Sequence, residues 1–362
     1  MHMADALLSP AVGATMWAVS AATIAYCSKK VREELDDKKV PLMGVLGAFI
    51  FAAQMINFTI PVTGSSGHLG GGLILTILLG PYAAFLAIAS VLVVQALFFA
   101  DGGLLALGCN IFNLGFFPAF IAYPFIYKKI IGKTPSMVKI SVASIMAAIV
   151  GLQMGAFCVV LETIFSGISS LPFSTFVLMM QPIHLVIGVV EGLVTASVVL
   201  FIYKARPEIM QSALDVRPIG VHPVRNVVLA LLTVAMVTGG FVSWFASEKP
   251  DGLEWSIAKV TGQEELKGPE DGLHGVLTAL QEKIAFLPDY SFKNPAVVQK
   301  EVSKPVSVPS HQAFQPGQKT EESKGKAGTT VAGLVGGTIT LGFAFLIGFV
   351  LKRRNQPVLR WK

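Results

Sequence analysis

The stretch PLMGVLGAFIFAAQMINF at residues 41–58 is apolar enough to cross a lipid bilayer, and the polar stretch TIPVTGSSGHLGGG at residues 59–72 follows it directly. A transmembrane helix needs roughly 20 mostly apolar residues at a rise of ~1.5 Å each. Long apolar runs separated by short polar segments recur along the whole chain. This pattern predicts an all-α fold, a polytopic integral membrane helical bundle.

The composition agrees with a membrane protein. Of the 362 residues, 53% are hydrophobic and 14% are charged, and the mean hydropathy is +0.66, which is too apolar for one soluble domain. The net charge of +6 comes from short basic clusters beside apolar runs, so it indicates membrane topology and argues against a nucleic-acid partner. Cys27, Cys109 and Cys158 stand in apolar segments without CxxC spacing, and we interpret them as small hydrophobic residues.

About nine spans are expected from the apolar runs. The runs cover residues 10–27, 41–58, 73–99, 104–127, 138–165, 175–203, 227–245 and 330–351. The third run is interrupted at Gly80-Pro81, which predicts a re-entrant segment or a tight turn between two shorter helices.

The runs divide the chain into a seven-helix body and an appended part. We expect a membrane body at 1–206, a cytoplasmic linker at 207–226, a two-helix hairpin at 227–351 with an external loop at 247–328, and a basic cytoplasmic tail at 352–362. Within the loop, residues from about 293 to 329 have the composition of a flexible linker.

Lysine and arginine placement predicts the orientation. The basic residues at 29–39, 128–139 and 204–225 fall on one side of the membrane, and the loops at 59–69 and 163–174 contain none. Because basic loops stay in the cytoplasm, this asymmetry predicts an extracytoplasmic N-terminus and a cytoplasmic C-terminus in a bacterial cell membrane. It also predicts that His2 and His68 lie on the same outer face.

The chain begins Met1-His2, and its first lysine is Lys29, so no basic leader region precedes the first apolar run. We therefore expect Met1 to be the mature N-terminus. The Met1 amine, the His2 amide nitrogen and His2 Nδ1 can bind a metal in one plane through five- and six-membered chelate rings. Ni(II) and Cu(II) favour such nitrogen fields, whereas Zn(II) prefers a tetrahedron.

His68 can supply the fourth nitrogen of that plane. Taken singly, a histidine at either position is more often a solvated residue than a ligand. The chain has six histidines, however, and the glycines around His68 allow a close approach of the backbone, so the pair favours a metal site.

Other polar residues in the apolar segments have weaker interpretations. Ser66, His184 and Glu191 could support or couple to the site, and the spacing of His184 and Glu191 places them on one helix face, where they could share a buried polar network. We interpret these two as structural pairing or conformational coupling rather than ligation. Hydrogen bonds between helices are expected from Asn57, Gln95, Asn110 and Asn113.

Several long motifs resemble the CbiM/NikM family, the substrate-binding membrane subunits of energy-coupling-factor importers for cobalt and nickel. They are MHMADALLSP, PLMGVLGAFIFAAQMINFTIPVTGSSGHLGGGL, LLGPYAA, VQALFFADGGLLALGCNIFN and IHLVIGVVEGL, and the resemblance extends over about residues 1–206. The resemblance implies that Met1, His2 and His68 hold the ion. The family opening MHIPDG differs here, because Ala4 and Ala6 stand in place of Pro and Gly, which loosens the turn after the ligands.

The segment KPDGLEWSIAKVTG at residues 249–262 is similar to the PDGLE segment of the CbiN/NikN accessory subunits of the same importers. Fusion of this piece is more typical of nickel systems, which favours Ni2+ over Co2+ as the transported ligand. The resemblance also implies a transmembrane coupling (T) subunit and ATPase subunits as partners in the lipid membrane. The chain itself has no GxxxxGK[ST] loop, so the energy must come from them.

Two alternatives remain beside nickel import. The same protein could serve cobalt, since both ions accept imidazole ligands. A membrane metalloenzyme would need an open coordination position and a nearby general base. Because four nitrogens fill the plane and no carboxylate adjoins His68 in the sequence, we rank this enzyme last and predict that the protein is not an enzyme.

Overall fold

A computed structural model of the chain describes residues 2–34, 38–61, 63–215, 217, 219, 224–269, 271–292 and 326–353. Helices make up nearly all of the regular structure in these ranges. The described strands are β1 (Phe58–Ile60) and β2 (Ser65–Gly67), an antiparallel pair in which Thr59 lies opposite Ser66. The predicted all-α membrane bundle is confirmed.

The described residues from 2 to 215 contain nine α-helices and one π-helical stretch. The helices are α1 (Pro10–Glu34), α2 (Lys39–Gln54), α3 (Gly72–Leu79), α4 (Pro81–Phe99), α5 (Leu107–Ile111), α6 (Lys128–Ile131), α7 (Met137–Ser166), α8 (Phe173–Ala205) and α9 (Pro207–Asp215). The π-helical stretch, Phe112–Tyr127, joins α5 to α6 and contains Pro118 and Pro124. Proline has no N–H to donate to the preceding turn, which favours the wider hydrogen-bond pattern.

The C-terminal part contains four more described α-helices. They are α10 (Arg225–Gly240), α11 (Gly252–Thr261), α12 (Gly272–Ile284) and α13 (Lys326–Arg353). Short 3₁₀ turns lie at Asp5–Leu7, Val242–Phe245 and Pro288–Tyr290.

Six described helices are long and apolar enough to cross a membrane. They are α1, α4, the continuous helix Leu107–Ile131, α7, α8 and α13, and two shorter apolar helices, α2 and α10, accompany them. The first span continues past the expected end at residue 27 to Glu34, where Lys30 Nζ lies 3.3 Å from Glu33 Oε2 one turn away. Ion pairs at this spacing extend a helix into its polar flank.

The apolar run at 73–99 is divided at Gly80. This glycine has φ 83°, a left-handed value that favours glycine, and Pro81 occupies the first turn of α4, where its missing N–H costs nothing. The result is two helices, α3 and α4, in place of one long span.

Close glycine contacts join the helices. A Cβ placed on Gly192 of α8 would lie 2.5 Å from the Ile145 Cα of α7, and one on Gly44 of α2 would lie 2.9 Å from the Leu341 oxygen of α13. Small residues allow the backbones to approach this closely in a membrane bundle. The C-terminal helix therefore packs on the body through α2.

The external region expected at 247–328 has more structure than its composition indicated. Residues 252–261 and 272–284 form helices, and Leu253, Ile257 and Leu287 are buried. The predicted flexible linker at 293–329 lies outside the described residues except for its last four, which begin α13. The described part of the loop packs on the body, because packing there buries the apolar side chains of the loop.

Candidate metal centre

The N-terminal segment is held in the body by hydrogen bonds to the region around α5. The Met3 N–H donates to Asn110 Oδ1 at 2.8 Å, and the Met3 carbonyl accepts from the Gly103 N–H at 2.9 Å. Asp5 Oδ1 accepts from the Ala106 N–H at 2.9 Å. Asn110 was expected to join helices, but it holds the N-terminal segment and thereby fixes the position from which the His2 side chain extends.

The loop that carries His68 is held by two buried side chains. Glu191 on α8 accepts hydrogen bonds from the Gly70 N–H at 2.9 Å and the Gly71 N–H at 3.0 Å, just ahead of α3. Gln54 Nε2 donates to the Gly70 carbonyl at 2.8 Å. A carboxylate is favourable at a helix N-terminus, because the first N–H groups of a helix have no partners within it.

These two anchored segments bring His2 and His68 together. Their rings stack with 4.9 Å between centroids and an interplanar angle of 4°. The exposed fractions are 7% for the His2 side chain and 8% for the His68 side chain. The structure thus places two of the three predicted ligand residues side by side in a buried position. The third, Met1, lies outside the described residues.

The tautomer of the His68 ring leaves one nitrogen lone pair that can bind a metal ion. Its Nδ1 lies 3.1 Å from the Leu69 carbonyl oxygen, which can only accept, so Nδ1 carries the proton and Nε2 has the lone pair. Burial lowers the pKa of His68 from 6.5 to about 3. The ring is therefore neutral at physiological pH, as a metal ligand must be.

The His2 ring has an acidic neighbour, Asp101. His2 Nδ1 lies 3.0 Å from Asp101 Oδ1, and His2 Nε2 is buried without a hydrogen-bond partner in the described part of the chain. Burial alone would raise the pKa of Asp101, but the His2 imidazole holds it below its ordinary value. The other oxygen, Asp101 Oδ2, accepts from the Tyr290 hydroxyl, whose own pKa is raised by burial.

A second carboxylate, Asp251, comes from the PDGLE segment. Its Oδ1 accepts from the Leu253 N–H at 2.7 Å and the Glu254 N–H at 2.9 Å, and Glu254 Oε2 accepts from the Asp251 N–H at 2.9 Å. This reciprocal pair is the capping box at the start of α11. The remaining oxygen, Asp251 Oδ2, lies 3.8 Å from His68 Nε2.

A carboxylate therefore adjoins His68 in three dimensions, although none adjoins it in the sequence. Asp251 is far from His68 along the chain, and Asp101 is likewise far from His2. A local signal was present, because Asp251 and Glu254 have the spacing of a capping box and predict a helix start there. Nothing local predicted that this helix start would face His68.

Ser66 contacts the appended part rather than the histidine rings. Its N–H donates to the Pro250 carbonyl at 2.8 Å, and its hydroxyl donates to the Lys249 carbonyl at 2.7 Å. Trp255 Nε1 donates to the Thr63 carbonyl at 2.9 Å. These bonds attach the PDGLE segment to β2 and hold Asp251 beside His68.

His184 and Glu191 do not share hydrogen bonds in the structure. His184 Nδ1 lies 2.8 Å from the Met180 carbonyl of its own helix, whereas Glu191 binds the loop of His68. Both side chains are buried, at 1% and 3% exposure. The two residues lie seven positions apart on α8, and they serve separate contacts.

Two of the expected hydrogen bonds between helices are present. Gln95 Nε2 donates to Gln54 Oε1 at 2.9 Å and joins α4 to α2. Asn113 Nδ2 donates to Glu162 Oε2 at 2.7 Å and joins the π-helical stretch to α7. Glu162 was not predicted as a partner, although a carboxylate inside an apolar run is itself a signal of a buried polar contact.

A cavity of about 350 Å³ adjoins the two rings. Six acidic residues and two lysines line it together with His2 and His68. The acidic ones are Asp101, Glu248, Asp251, Glu254, Glu265 and Asp289. This excess of negative charge favours the approach of a cation.

The described side chains do not complete a metal site by themselves. In the described ranges, no group of three or more His, Cys, Asp or Glu side chains is close enough together to hold a metal ion. The predicted site differs from such a cluster because two of its donors are main-chain nitrogens, the Met1 amine and the His2 amide.

Two family descriptions match the chain. Residues 2–209 match CbiM, the cobalt uptake substrate-specific transmembrane region, and residues 225–353 match the PDGLE domain. The first match covers more than half of the chain.

Characterised relatives match over different lengths. The fused nickel transport protein NikMN of Rhodobacter capsulatus is 28% identical over 321 residues, which cover 83% of this chain and 90% of that protein. The cobalt transport protein CbiM of Geobacter sulfurreducens is 28% identical over 284 residues, covering 75% of this chain and 81% of that protein. A crystal structure of a truncated transition metal transporter is 31% identical, with a TM-score of 0.51, and the match covers 57% of this chain and 99% of that one.

Proposed function

The chain belongs to the CbiM family, and from that membership we propose that it is the nickel-binding substrate-specificity subunit of an energy-coupling-factor importer. The family transports metal ions, so the protein is a metal transport protein of the membrane and not an enzyme. In this proposal the protein captures Ni(II) from the outer side of the membrane and passes it to the rest of the importer.

The parallel, buried pair of His2 and His68 is the observation that carries the proposal. Two histidines without a shared ligand are not expected to lie together in a buried position, because burying an imidazole costs hydration free energy unless its nitrogens find partners. Here the N-terminal segment and the glycine loop are each fixed by buried hydrogen bonds, and both arrangements direct a ring to the same place.

The proposed ligands are the Met1 amine, the His2 amide nitrogen, His2 Nδ1 and His68 Nε2. The His68 tautomer fits this role, since Nε2 already has the lone pair. His2 Nδ1 faces Asp101 instead, so binding requires that the proton which Nδ1 shares with that carboxylate move to Nε2 of the same ring, which leaves Nδ1 to bind the metal without a further proton being released. Asp101 and Asp251 then compensate the charge of the ion.

Nickel is favoured by the donor set and by the fused architecture. Four nitrogens in one plane suit Ni(II), and the relative from Rhodobacter capsulatus that matches most of the chain is named as a fused nickel transport protein. Cobalt is the alternative, in view of the Geobacter sulfurreducens relative. Absorption spectra of the bound metal separate the two geometries, because square-planar Ni(II) is yellow and diamagnetic.

The proposed topology places the N-terminus outside and the C-terminus in the cytoplasm. It is supported by the basic residues in the last turns of α1, α6 and α8, because basic residues are typical of the cytoplasmic ends of membrane helices. The cytoplasmic face would then meet the coupling (T) subunit and the ATPase subunits. We keep the division into a metal-binding body at 1–206 and an appended hairpin at 227–351 as part of the proposal.

The test is the nickel content of purified variants. His2→Ala and His68→Ala should each lose nearly all bound nickel, and His2→Ala should be the more severe because it removes a chelating ring. His274→Gln is the matched control, since it removes a buried imidazole elsewhere while leaving a donor for the Leu8 carbonyl, which His274 Nε2 contacts at 2.8 Å. Wild-type nickel content in either alanine variant would refute the site.

A further inference from the structure

A second, smaller cavity adjoins His68 and has no role in the proposed chelate. Its volume is about 10 Å³, and His68, His184 and Asp251 contribute its polar side chains. A space of this size holds about one water molecule or one ion. The backbone of Gly67 and Gly252 forms part of the wall.

His184 offers a nitrogen lone pair at this cavity. Its Nδ1 lies 2.8 Å from the Met180 carbonyl oxygen, so Nδ1 carries the proton and Nε2 has the lone pair. The side chain is 1% exposed, and Nε2 has no hydrogen-bond partner within the described residues. Because a buried polar atom without a partner is costly, an occupant of the cavity is the natural source of one.

The edge of the His184 ring lies against the PDGLE segment. A Cβ placed on Gly252 would lie 3.1 Å from His184 Cε1, the ring carbon next to Nε2. The residue before Gly252 is Asp251, whose carboxylate faces His68 Nε2. Two histidines and one carboxylate therefore line the same small space, and imidazole and carboxylate are donor types that a divalent transition metal accepts when water completes its shell.

We propose that this cavity is a second, transient position for the transported cation, held by His184 and His68 after the ion leaves the N-terminal chelate. The proposal rests on the nickel-binding function proposed above and adds a step to it. His68 is common to both positions, so the ion can move without losing all its ligands at once.

The geometry fits weak rather than tight binding. The three side chains line the cavity without converging closely enough to hold a metal ion as they stand, and water would complete the shell of the ion. A position on a transport route must bind well enough to be entered and weakly enough to be left. A tight second site would trap the ion.

The polar surroundings continue beyond this cavity. A neighbouring cavity of about 10 Å³ shares Gly70, Leu114 and Leu152 with it and is also lined by Asn113 and Glu191. Asn113 Oδ1 is buried there and has no hydrogen-bond partner in the described ranges. Asn113 and Glu191 thus add two polar side chains beside the first cavity, in a wall that otherwise consists of glycine and apolar residues.

The main experiment compares nickel uptake with nickel binding in His184→Leu, made in the full chain. Uptake into cells that contain the other subunits of the importer should fall at least tenfold, while the purified variant keeps the wild-type nickel content. Gln181→Leu is the control, because Gln181 lies one turn away on α8 and bonds to Gln153 on α7, outside both cavities. It should leave uptake and binding unchanged.

Two results would overturn the proposal. Unchanged uptake in His184→Leu would show that the ion does not use this position. Loss of bound nickel comparable to that in His2→Ala would make His184 a support of the first site. If the wild-type protein binds no nickel at all, the proposed function has failed and not this step.

A second measurement covers the case in which His184→Leu does not fold. In the folded His2→Ala protein, Co2+ titrated alone should give weak visible absorption bands of a bound ion, and these bands should be lost in the His2→Ala/His184→Gln double variant. Glutamine keeps a polar group at the position and so protects the fold. Bands of equal strength in the double variant, or no bands in His2→Ala, contradict the transient position.

Discussion

Asp251 divides its carboxylate between its own helix and a histidine of the body. One oxygen accepts the N–H groups at the start of α11, and the other lies 3.8 Å from His68 Nε2. The capping box therefore does two things, because it starts a helix in the appended part and holds a negative charge beside the proposed metal site. The following predictions test this arrangement and the other contacts of the site.

Asp251→Asn should weaken nickel binding about tenfold while leaving the fold intact. Asparagine is also a good N-cap, so the helix start is kept, but the charge facing His68 is lost. A tenfold change corresponds to ~1.4 kcal/mol, within the range for a charge near a protein surface. Nickel titration measures it. Glu265→Gln removes the same charge from the larger cavity and should change the affinity less than twofold; equal effects would mean that only net charge matters.

Glu191→Gln should destabilise the His68 loop and reduce nickel binding together. One carboxylate oxygen becomes an NH₂ group that faces the N–H of Gly70 or Gly71, so two donors meet in a buried place. An unsatisfied buried donor costs about 1–3 kcal/mol. Thermal unfolding in detergent and nickel content check this, with the exposed Glu33→Gln as the control. Normal nickel content in a destabilised variant would separate Glu191 from the site.

Insertion of one leucine between Met1 and His2 should make nickel binding independent of His68. The insertion adds a second amide, so the amine, two amide nitrogens and the imidazole close two five-membered rings and one six-membered ring and fill the plane without His68. Nickel content of the insertion made in His68→Ala gives the result, with His68→Ala alone as the control, and mass spectrometry must show that Met1 is retained. Full binding by His68→Ala alone, or by a chain without a free N-terminal amine, rules out the chelate.

Nickel binding at pH 7 should release about two protons. The His2 amide contributes one, and the Met1 amine, with an ordinary pKa of ~7.7–8.0, contributes most of another. His68 contributes none, because burial lowers its pKa to about 3 and it is already neutral. Calorimetry in two buffers of different ionisation enthalpy counts the protons. A count clearly below one is incompatible with amide coordination.

The metal-free protein should lose stability as the pH falls below about 6.5. The pKa of His68 is 6.5 in the unfolded chain and about 3 in the folded protein, so only the unfolded state takes up this proton between those values. Proton uptake by the unfolded state lowers the free energy of unfolding as pH decreases. Unfolding temperatures from pH 7 to pH 4.5 measure the slope. It should be shallower in His68→Ala, and identical slopes would contradict the buried neutral ring.

Much of the architecture could be predicted from sequence. The apolar runs determine the membrane bundle, because a bilayer requires long helices whose backbone groups are satisfied internally. Gly80-Pro81 marks the division between α3 and α4, since proline starts a helix and glycine accepts the left-handed turn before it. The boundaries were less certain: α1 continues to Glu34 through a charged segment that the hydropathy had assigned to a loop.

The histidines themselves were also visible in the sequence, because a histidine next to an N-terminal amine has a definite chelating chemistry. What only the tertiary structure decided is the set of neighbours. Asp101 and Asp251 reach the two rings from separate segments, Tyr290 bonds to Asp101, and His184 lines a cavity to which the PDGLE segment contributes Asp251 and Gly252. A local sequence pattern indicates which face of a helix a residue occupies and which chemical group its side chain offers. Contacts between segments so far apart in the sequence depend on the packing of the whole chain, and no local pattern encodes them.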